Sequence, residues 1–220
     1  MILSAHQPAY IPWLGYFNKM KQCDVFVILD DVQLERNSFV NRNRINVTKG
    51  NPWLTIPVEM TGHMEKTIRQ MVIANEPWVD KHWCKLKAVY ANAPHFLEWA
   101  AKWYVAMRNV DRSLMAPMHF TLDMARELGV ESEIVKQSDI GIVGHKNQLI
   151  VNLCKHFGAH TFVFGAQGME YCDFELMREN GIRPIFQEYR APTDPALSVL
   201  HHLVTEGKEA TKELINKGVI

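Results

Sequence analysis

Five short polar segments carry most of the side chains able to do chemistry here. They are His6-Gln7-Pro8, Asp30-Asp31-Val32-Gln33, Gln137-Ser138-Asp139, Gly165-Ala166-Gln167-Gly168 and Gln187-Glu188-Tyr189, and each follows an apolar run. His6 is the one side chain of the first segment whose ordinary pKa lies near neutrality, so it fits a general base or a phosphate ligand; the plainer alternative is a turn residue that bonds the next loop. Asp30 and Asp31 offer carboxylates to Mg²⁺ or to a ribose hydroxyl, and the period-two alternation of a strand lets only one of them face a shared site. We take His6, Asp30 and Asp31 as the catalytic candidates, with the amides of Gln7 and Gln33 orienting the substrate.

A second set suits anion binding. Arg36, Arg42, Arg44 and Lys49 against Glu35 give one loop a net charge of +3, with Asn41 and Asn43 set between the arginines. Guanidinium forks and amide donors match a phosphate or carboxylate, though a solvated basic loop has the same composition. His145 and Lys146, within Gly144-His145-Lys146-Asn147, precede an amphipathic stretch whose first backbone N–H groups could hold an anion, without the full P-loop pattern. Gly165, Gln167, Gly168 and Tyr171 complete the substrate-binding candidates; two glycines three apart after a strand serve an ordinary turn as readily as an anion cradle. No metal ligand is assigned. His156 and His160 straddle a helix end, His201 and His202 are neighbours expected to diverge, and no cysteine pair stands near them. Cys23 and Cys172 have no dedicated base beside them, and the tryptophans at 78, 83, 99 and 103 read as helix packing.

The elements that must position these groups follow from periodicity. Ile2–Ala5 reads as a strand, Leu14–Gln22 as a helix and Val25–Leu29 as a strand apolar on both faces, which together make one βαβ unit. Three later junctions, at Gly129, Gly158 and Gly181, place a glycine where a helix C-cap wants positive φ and follow it at once with a strand. The prediction is an α/β fold with a mainly parallel sheet and helices on both faces, Rossmann-like or nucleotidyltransferase-like. Pro184 assigns its strand to an edge. Residues 53–129 read as a hairpin (Trp53–Val58 with Ile68–Ala74) plus a helical insertion or cap in one α/β domain spanning 1–220. In parallel strands the five polar segments fall at one edge, where open α/β sheets bind ligands.

The totals bound the class. With 220 residues, 47% of them hydrophobic, the chain can bury a substantial core, and a formal net charge of zero disfavours a globally basic nucleic-acid binder. No apolar run approaches the roughly 18 residues of a membrane span, and the first residues lack the pattern of a signal peptide. Four scattered cysteines fit reduced thiols and a cytoplasmic setting. The expected partner is an anionic small molecule. Nucleic acid and membrane are not expected, a homo-oligomer stays open, and the cofactor is unknown, a nucleotide or Mg²⁺ being the ones these residues could hold.

One resemblance sharpens this reading. The run His6-Gln7-Pro8-x-Tyr10-x-Pro12-Trp13-Leu14-Gly15-Tyr16-Phe17, then Asp24-Val25-Phe26-Val27 on to Leu29-Asp30-Asp31-Val32-Gln33 and Asn41-Arg42-Asn43-Arg44, resembles the WbqC-like family of bacterial proteins. Trp53-Leu54, Pro57-Val58, Gly165 to Tyr171, Phe186-Gln187 and Leu197 to Leu200 extend it over the chain's length. The resemblance implies a setting in O-antigen and other surface-polysaccharide biosynthesis, and a transferase or ligase attaching a small acyl or aminoacyl group to a nucleotide-linked amino sugar. The chain departs from the family pattern at Phe164, Gln167 and His201, and its 190–195 loop is short. The opening strand, His/Pro turn and acidic second strand end are also similar to nucleotidylyltransferase-like sheets such as pantothenate synthetase, but a second histidine three residues after His6 is absent. An ATP-using nucleotidylyltransferase and a non-catalytic metabolite-binding or scaffold protein are the alternatives.

Overall fold

In the computed structural model, which describes residues 1–46, 50–193 and 196–217, the chain forms seven strands among those residues. In order they are β1 (Ile2–His6), β2 (Val25–Ile28), β3 (Arg42–Arg44), β4 (Trp53–Thr55), β5 (Glu133–Lys136), β6 (Thr161–Phe164) and β7 (Arg183–Phe186). The helices are α1 (Leu14–Lys21), α2 (Trp78–Tyr90), α3 (Phe96–Arg108), α4 (Met118–Glu127), α5 (Gln137–Ile140), α6 (Lys146–Phe157), α7 (Phe174–Glu179), α8 (Val199–Glu206) and α9 (Lys208–Asn216). Five strands pair in parallel in the order β5-β2-β1-β6-β7, and β3 with β4 makes a separate antiparallel pair. The α/β architecture predicted from the glycine-capped junctions is the one observed.

Strand order positions the site. From β1 the chain passes through α1 to β2 on one side, whereas β6 lies on the other side of β1 and leads through α7 to β7. The direction of winding therefore reverses between β1 and β6, which opens a crevice at their carboxyl ends. Alternation along β1 and β2 feeds two cores. Leu3, Val25 and Val27 pack with α6 and α7, while Phe26 and Ile28 face the α1 side. Residues of the 53–129 segment, Trp99 and Trp103 among them, share the core on the α1 side.

Several local expectations are corrected. Ile68–Ala74 is not a strand. Ile68–Gln70 is a single 3₁₀ turn closed by a capping box between Thr67 and Gln70, with only isolated bridges at Val72 and Ile73. The partner of Trp53–Thr55 is instead Arg42–Arg44, in the stretch that reads as a basic loop. The last helix of the 53–129 insertion spans only Met118–Glu127, because upstream Asp111 and Ser113 fold their own downstream N–H groups into a turn. Pro184 does lie in an edge strand, since β7 pairs with β6 alone. Among the described residues no helix is long and apolar enough to cross a membrane.

Candidate functional site

A cavity of about 560 Å³ opens at the carboxyl ends of β1, β6 and β7. The turn after β1 contributes His6 and Gln7, and the approach to α1 and the helix itself contribute Trp13, Tyr16 and Lys19. Gly165, Gln167 and Tyr171 come from the loop after β6, Gln187 and Tyr189 from the end of β7. No aspartate or glutamate is among the described residues that line it. A cavity of similar size, about 500 Å³, lies against α3 and α4 with Met107, Val110, Met115 and Leu122 in its walls. The strand-end cavity is the stronger site because it sits at the winding reversal, although the other cavity also carries Asp111, His119, Asp123 and Lys136.

His6 is held by its own turn. Its Nδ1 lies 2.9 Å from the Gln7 carbonyl, a group that can only accept, so Nδ1 carries the proton and Nε2 the lone pair. The Tyr16 hydroxyl donates to that same carbonyl at 3.2 Å. The imidazole meets Tyr16 and Trp13 edge-on, with ring centroids 5.1 and 5.7 Å away. Burial among these rings, reinforced by the charge of Lys19, lowers the His6 pKa to about 4, so the ring is neutral at physiological pH. Burial also pushes the Tyr16 and Tyr171 hydroxyls up and takes Tyr189 to about 12.

Lys19 reaches the cavity from the last turn of α1. Helical side chains lean toward the helix N-terminus, and this one runs back toward the strand-end edge, where Nζ donates to the Ala5 carbonyl at 2.8 Å. Only 4% of the residue is exposed, and desolvation lowers its pKa to about 8. Beside it Gln187 donates from Nε2 to the Gly15 carbonyl and to Asn18 Oδ1, and Asn18 donates in turn to the carbonyls of Ile215 and Lys217. This amide chain fixes α1, β7 and the end of α9 against one another.

Of the residues expected at one site, His6, Gln7, Gly165, Gln167 and Tyr171 line this cavity, whereas Asp30, Asp31, Gln33, Asn41, Arg42, Asn43, Arg44, His145, Lys146 and Gly168 do not. Asp30 bonds its N–H back to the Ile28 carbonyl, which ends β2, and its buried carboxylate accepts from the Ser138 N–H at 3.0 Å and the Ser138 hydroxyl at 2.6 Å. Asp31 pairs with Arg69 at 2.6 Å, and Gln33 donates to the Met64 carbonyl. The two carboxylates are thus engaged toward β5 and toward the Ile68–Gln70 turn.

The arginine pair forms a different unit. Arg42 and Arg44 share one face of β3 and stack on the Trp53 ring, their guanidinium carbons 4.2 and 4.7 Å from its centroid. Asn43 points the other way, fully buried, and donates to the carbonyls of Tyr10 and Ile11, the latter residue held at φ +37°. Asn43 therefore fixes the turn that delivers Trp13 to the cavity. Asn41 donates to the Ile56 carbonyl. His145 and Lys146 are exposed at the start of α6; their neighbour Asn147 donates to the Tyr171 carbonyl, tying that helix to the cavity wall. Gly168 serves packing, since a Cβ there would stand 2.3 Å from Phe164 Cβ. Lys49 and residues 194–195 of the short loop lie outside the described residues.

Two groups escaped the sequence reading. A lysine near a helix C-terminus ordinarily complements the macrodipole in water, so nothing marked Lys19 as buried. His201 and His202 also do not part. Their rings meet edge-on at 4.9 Å, and with Glu206 their ligand atoms lie within 4.8 Å of one another, the spacing of a loose metal site. Each is already engaged, His201 Nδ1 with the Tyr90 hydroxyl and His202 Nδ1 with Glu206.

The chain matches the family model described as the WbqC-like protein family over residues 7–213. It is 31% identical over 216 residues to the Mycobacterium tuberculosis protein Rv1507c, itself described as uncharacterized, and the match covers 93% of each chain. No solved structure matches it.

Proposed function

This chain belongs to the WbqC-like protein family, and from that premise we propose that it is a group-transfer enzyme acting on an anionic small molecule bound at the strand-end cavity. The observation that carries this reading is the pairing of a neutral imidazole and a buried ammonium in an aromatic-walled cavity with no carboxylate among its described lining residues. Such walls suit a nucleotide-sized ligand, since a cavity near 560 Å³ lies well within the range of small-molecule sites. The finer reading is transfer of an acyl or aminoacyl group to a nucleotide-linked amino sugar in surface-polysaccharide biosynthesis, in the cytoplasm.

In that chemistry the acceptor amine attacks the carbonyl of an activated acyl donor. The new C–N bond forms, the donor's leaving group departs, and the proton lost by the amine passes to His6 Nε2, which returns it to the leaving group. The Nδ1–H bond to the Gln7 carbonyl keeps the lone pair on Nε2 throughout and steadies the imidazolium that forms transiently. Tyr171, Gln167 and Gln187 supply polar contacts around the ligand.

Mass spectrometry of small molecules co-purifying with the protein identifies the ligand class, and His6→Gln tests the role of the ring. The expected result is loss of turnover with retained ligand binding and a melting temperature near wild type at pH 7.5. Full turnover in H6Q, or its failure to fold, would refute the assignment of His6 as base. A binding protein without turnover is the second reading, favoured by the weak basicity of His6 in the empty cavity. Tight nucleotide-sugar binding without product, whatever acyl donor is supplied, would establish it.

A further inference from the structure

Among the described residues the cavity holds a cation without a counter-ion. Lys19 Nζ has three N–H donors and spends one on the Ala5 carbonyl; among the described residues no carboxylate lies within ion-pairing distance of it. A buried ammonium in that state is costly, and burying it gains nothing for folding that a methionine of similar length would not supply. Its direction is also wrong for a helix-dipole partner, because it leaves the C-terminal turn of α1 and runs to the strand-end edge. Lys21, two residues on, is half-buried and offers the ordinary C-terminal cation.

We propose that Lys19 is the specificity-determining cation of this cavity: its ammonium pairs with a phosphate or carboxylate oxygen of the ligand, and that pairing also makes His6 a competent base. The inference rests on the strand-end cavity being the substrate site and adds which group recognises the anion. Both side chains line the cavity, one from β1 and one from α1. Among the described residues, the titratable groups that line the cavity with His6 are Lys19, Tyr16, Tyr171 and Tyr189, none of them a carboxylate. With the cavity empty, the Lys19 charge opposes protonation of His6. A ligand oxyanion on Nζ cancels that opposition, so the ring gains basicity only when the substrate's anionic group is seated. A neutral analogue that fills the same space leaves His6 a weak base. Selection for the anion is thus exerted on the chemical step as well as on binding.

The test uses the full chain, with inorganic pyrophosphate and malonate as the phosphate and carboxylate probes at matched ionic strength. Calorimetry or thermal shift reads binding, and NMR of the labelled His6 ring reads its titration. In wild type one of the two probes binds and moves the His6 midpoint upward; whichever acts identifies the source of the oxyanion. Lys19→Met weakens that binding about tenfold or more, its His6 midpoint is already raised without probe, and it no longer responds. Lys19→Arg keeps the charge and keeps the response, which separates a lost cation from a disturbed fold. Asp194→Asn, which removes a carboxylate close in sequence to the cavity-lining Ala191 and Ala196, leaves the response unchanged.

Equal probe binding by wild type and K19M, no response of wild type to either probe, or a gain of affinity in D194N would each overturn the assignment. Anion binding that depends on Lys19 without any transfer activity leaves this inference standing and removes only the group-transfer reading. Transfer that persists in K19M with unchanged KM does the reverse.

Discussion

Acidification should unfold this protein through its histidines. His6, His82 and His201 are each held near pKa 4 against an ordinary 6.5, in every case mainly by burial. The hydrogen bonds agree. His82 sits between the Tyr10 hydroxyl and the Thr55 carbonyl, and His201 accepts from a Tyr90 hydroxyl that itself accepts the Asn46 N–H, so each ring uses an Nδ1 lone pair that the neutral form supplies. In the unfolded chain all three protonate near 6.5. The unfolded state therefore binds more protons between pH 6.5 and 4, and stability is fully present above 6.5 and lost as pH falls through that window. A depression from 6.5 to about 4 is worth about 3 kcal/mol per ring. Three rings acting together approach the roughly 5–15 kcal/mol that a domain has in total. Urea denaturation at steps from pH 7.5 to 4.5 should show unfolding free energy flat at first and then falling by about 4 kcal/mol per pH unit in mid-window. His82→Gln should flatten that slope by about a third. A stability that stays level down to pH 5, or a slope unmoved by H82Q, would refute the claim that these rings are neutral in the fold.

Two further outcomes test the assignments around the site. Asp30→Ala removes the acceptor of two Ser138 hydrogen bonds and leaves a partly buried N–H unpaired, so denaturation should show a loss of about 2 kcal/mol; a loss below about 1 kcal/mol would return Asp30 to the list of functional candidates. Gly168→Ala drives a methyl into Phe164 and should lower stability by about 1–3 kcal/mol, with a matching drop in melting temperature.

Most of the frame was legible because it rests on strong local signals. Glycines 129, 158 and 181 do adopt positive φ at helix ends, and Val25–Ile28, apolar on both faces, is interior to the sheet. The convergence of strand ends was legible in part: the segments after β1, β6 and β7 meet, while the one after β5 folds into α5, where Ser138 binds Asp30. Which carboxylate turns where is decided by the bond from Asp30 N–H to the Ile28 carbonyl, a backbone event with no mark in residue type. Arg42–Arg44 read as a basic, anion-binding loop because its charges hid a strand whose cations find their partner in an indole nine or more residues away. Lys19 was invisible for the opposite reason, since one residue type serves both wet helix ends and dry cavities.

The middle of the sheet joins distant parts of the polypeptide. Ser4, on β1, donates its hydroxyl to the Val163 carbonyl on β6, 159 positions away. On a ribosome, β1 can pair with β2 soon after both emerge, but its other flank and the far wall of the crevice wait for β6 and β7, made only after the whole stretch from β2 to α6. That order implies slow, late closure governed by long-range contacts, with a bare strand edge exposed meanwhile to neighbours or holding chaperones. Any metabolite that grips the finished crevice arrives only after that closure and acts as a clasp between strands made far apart in time.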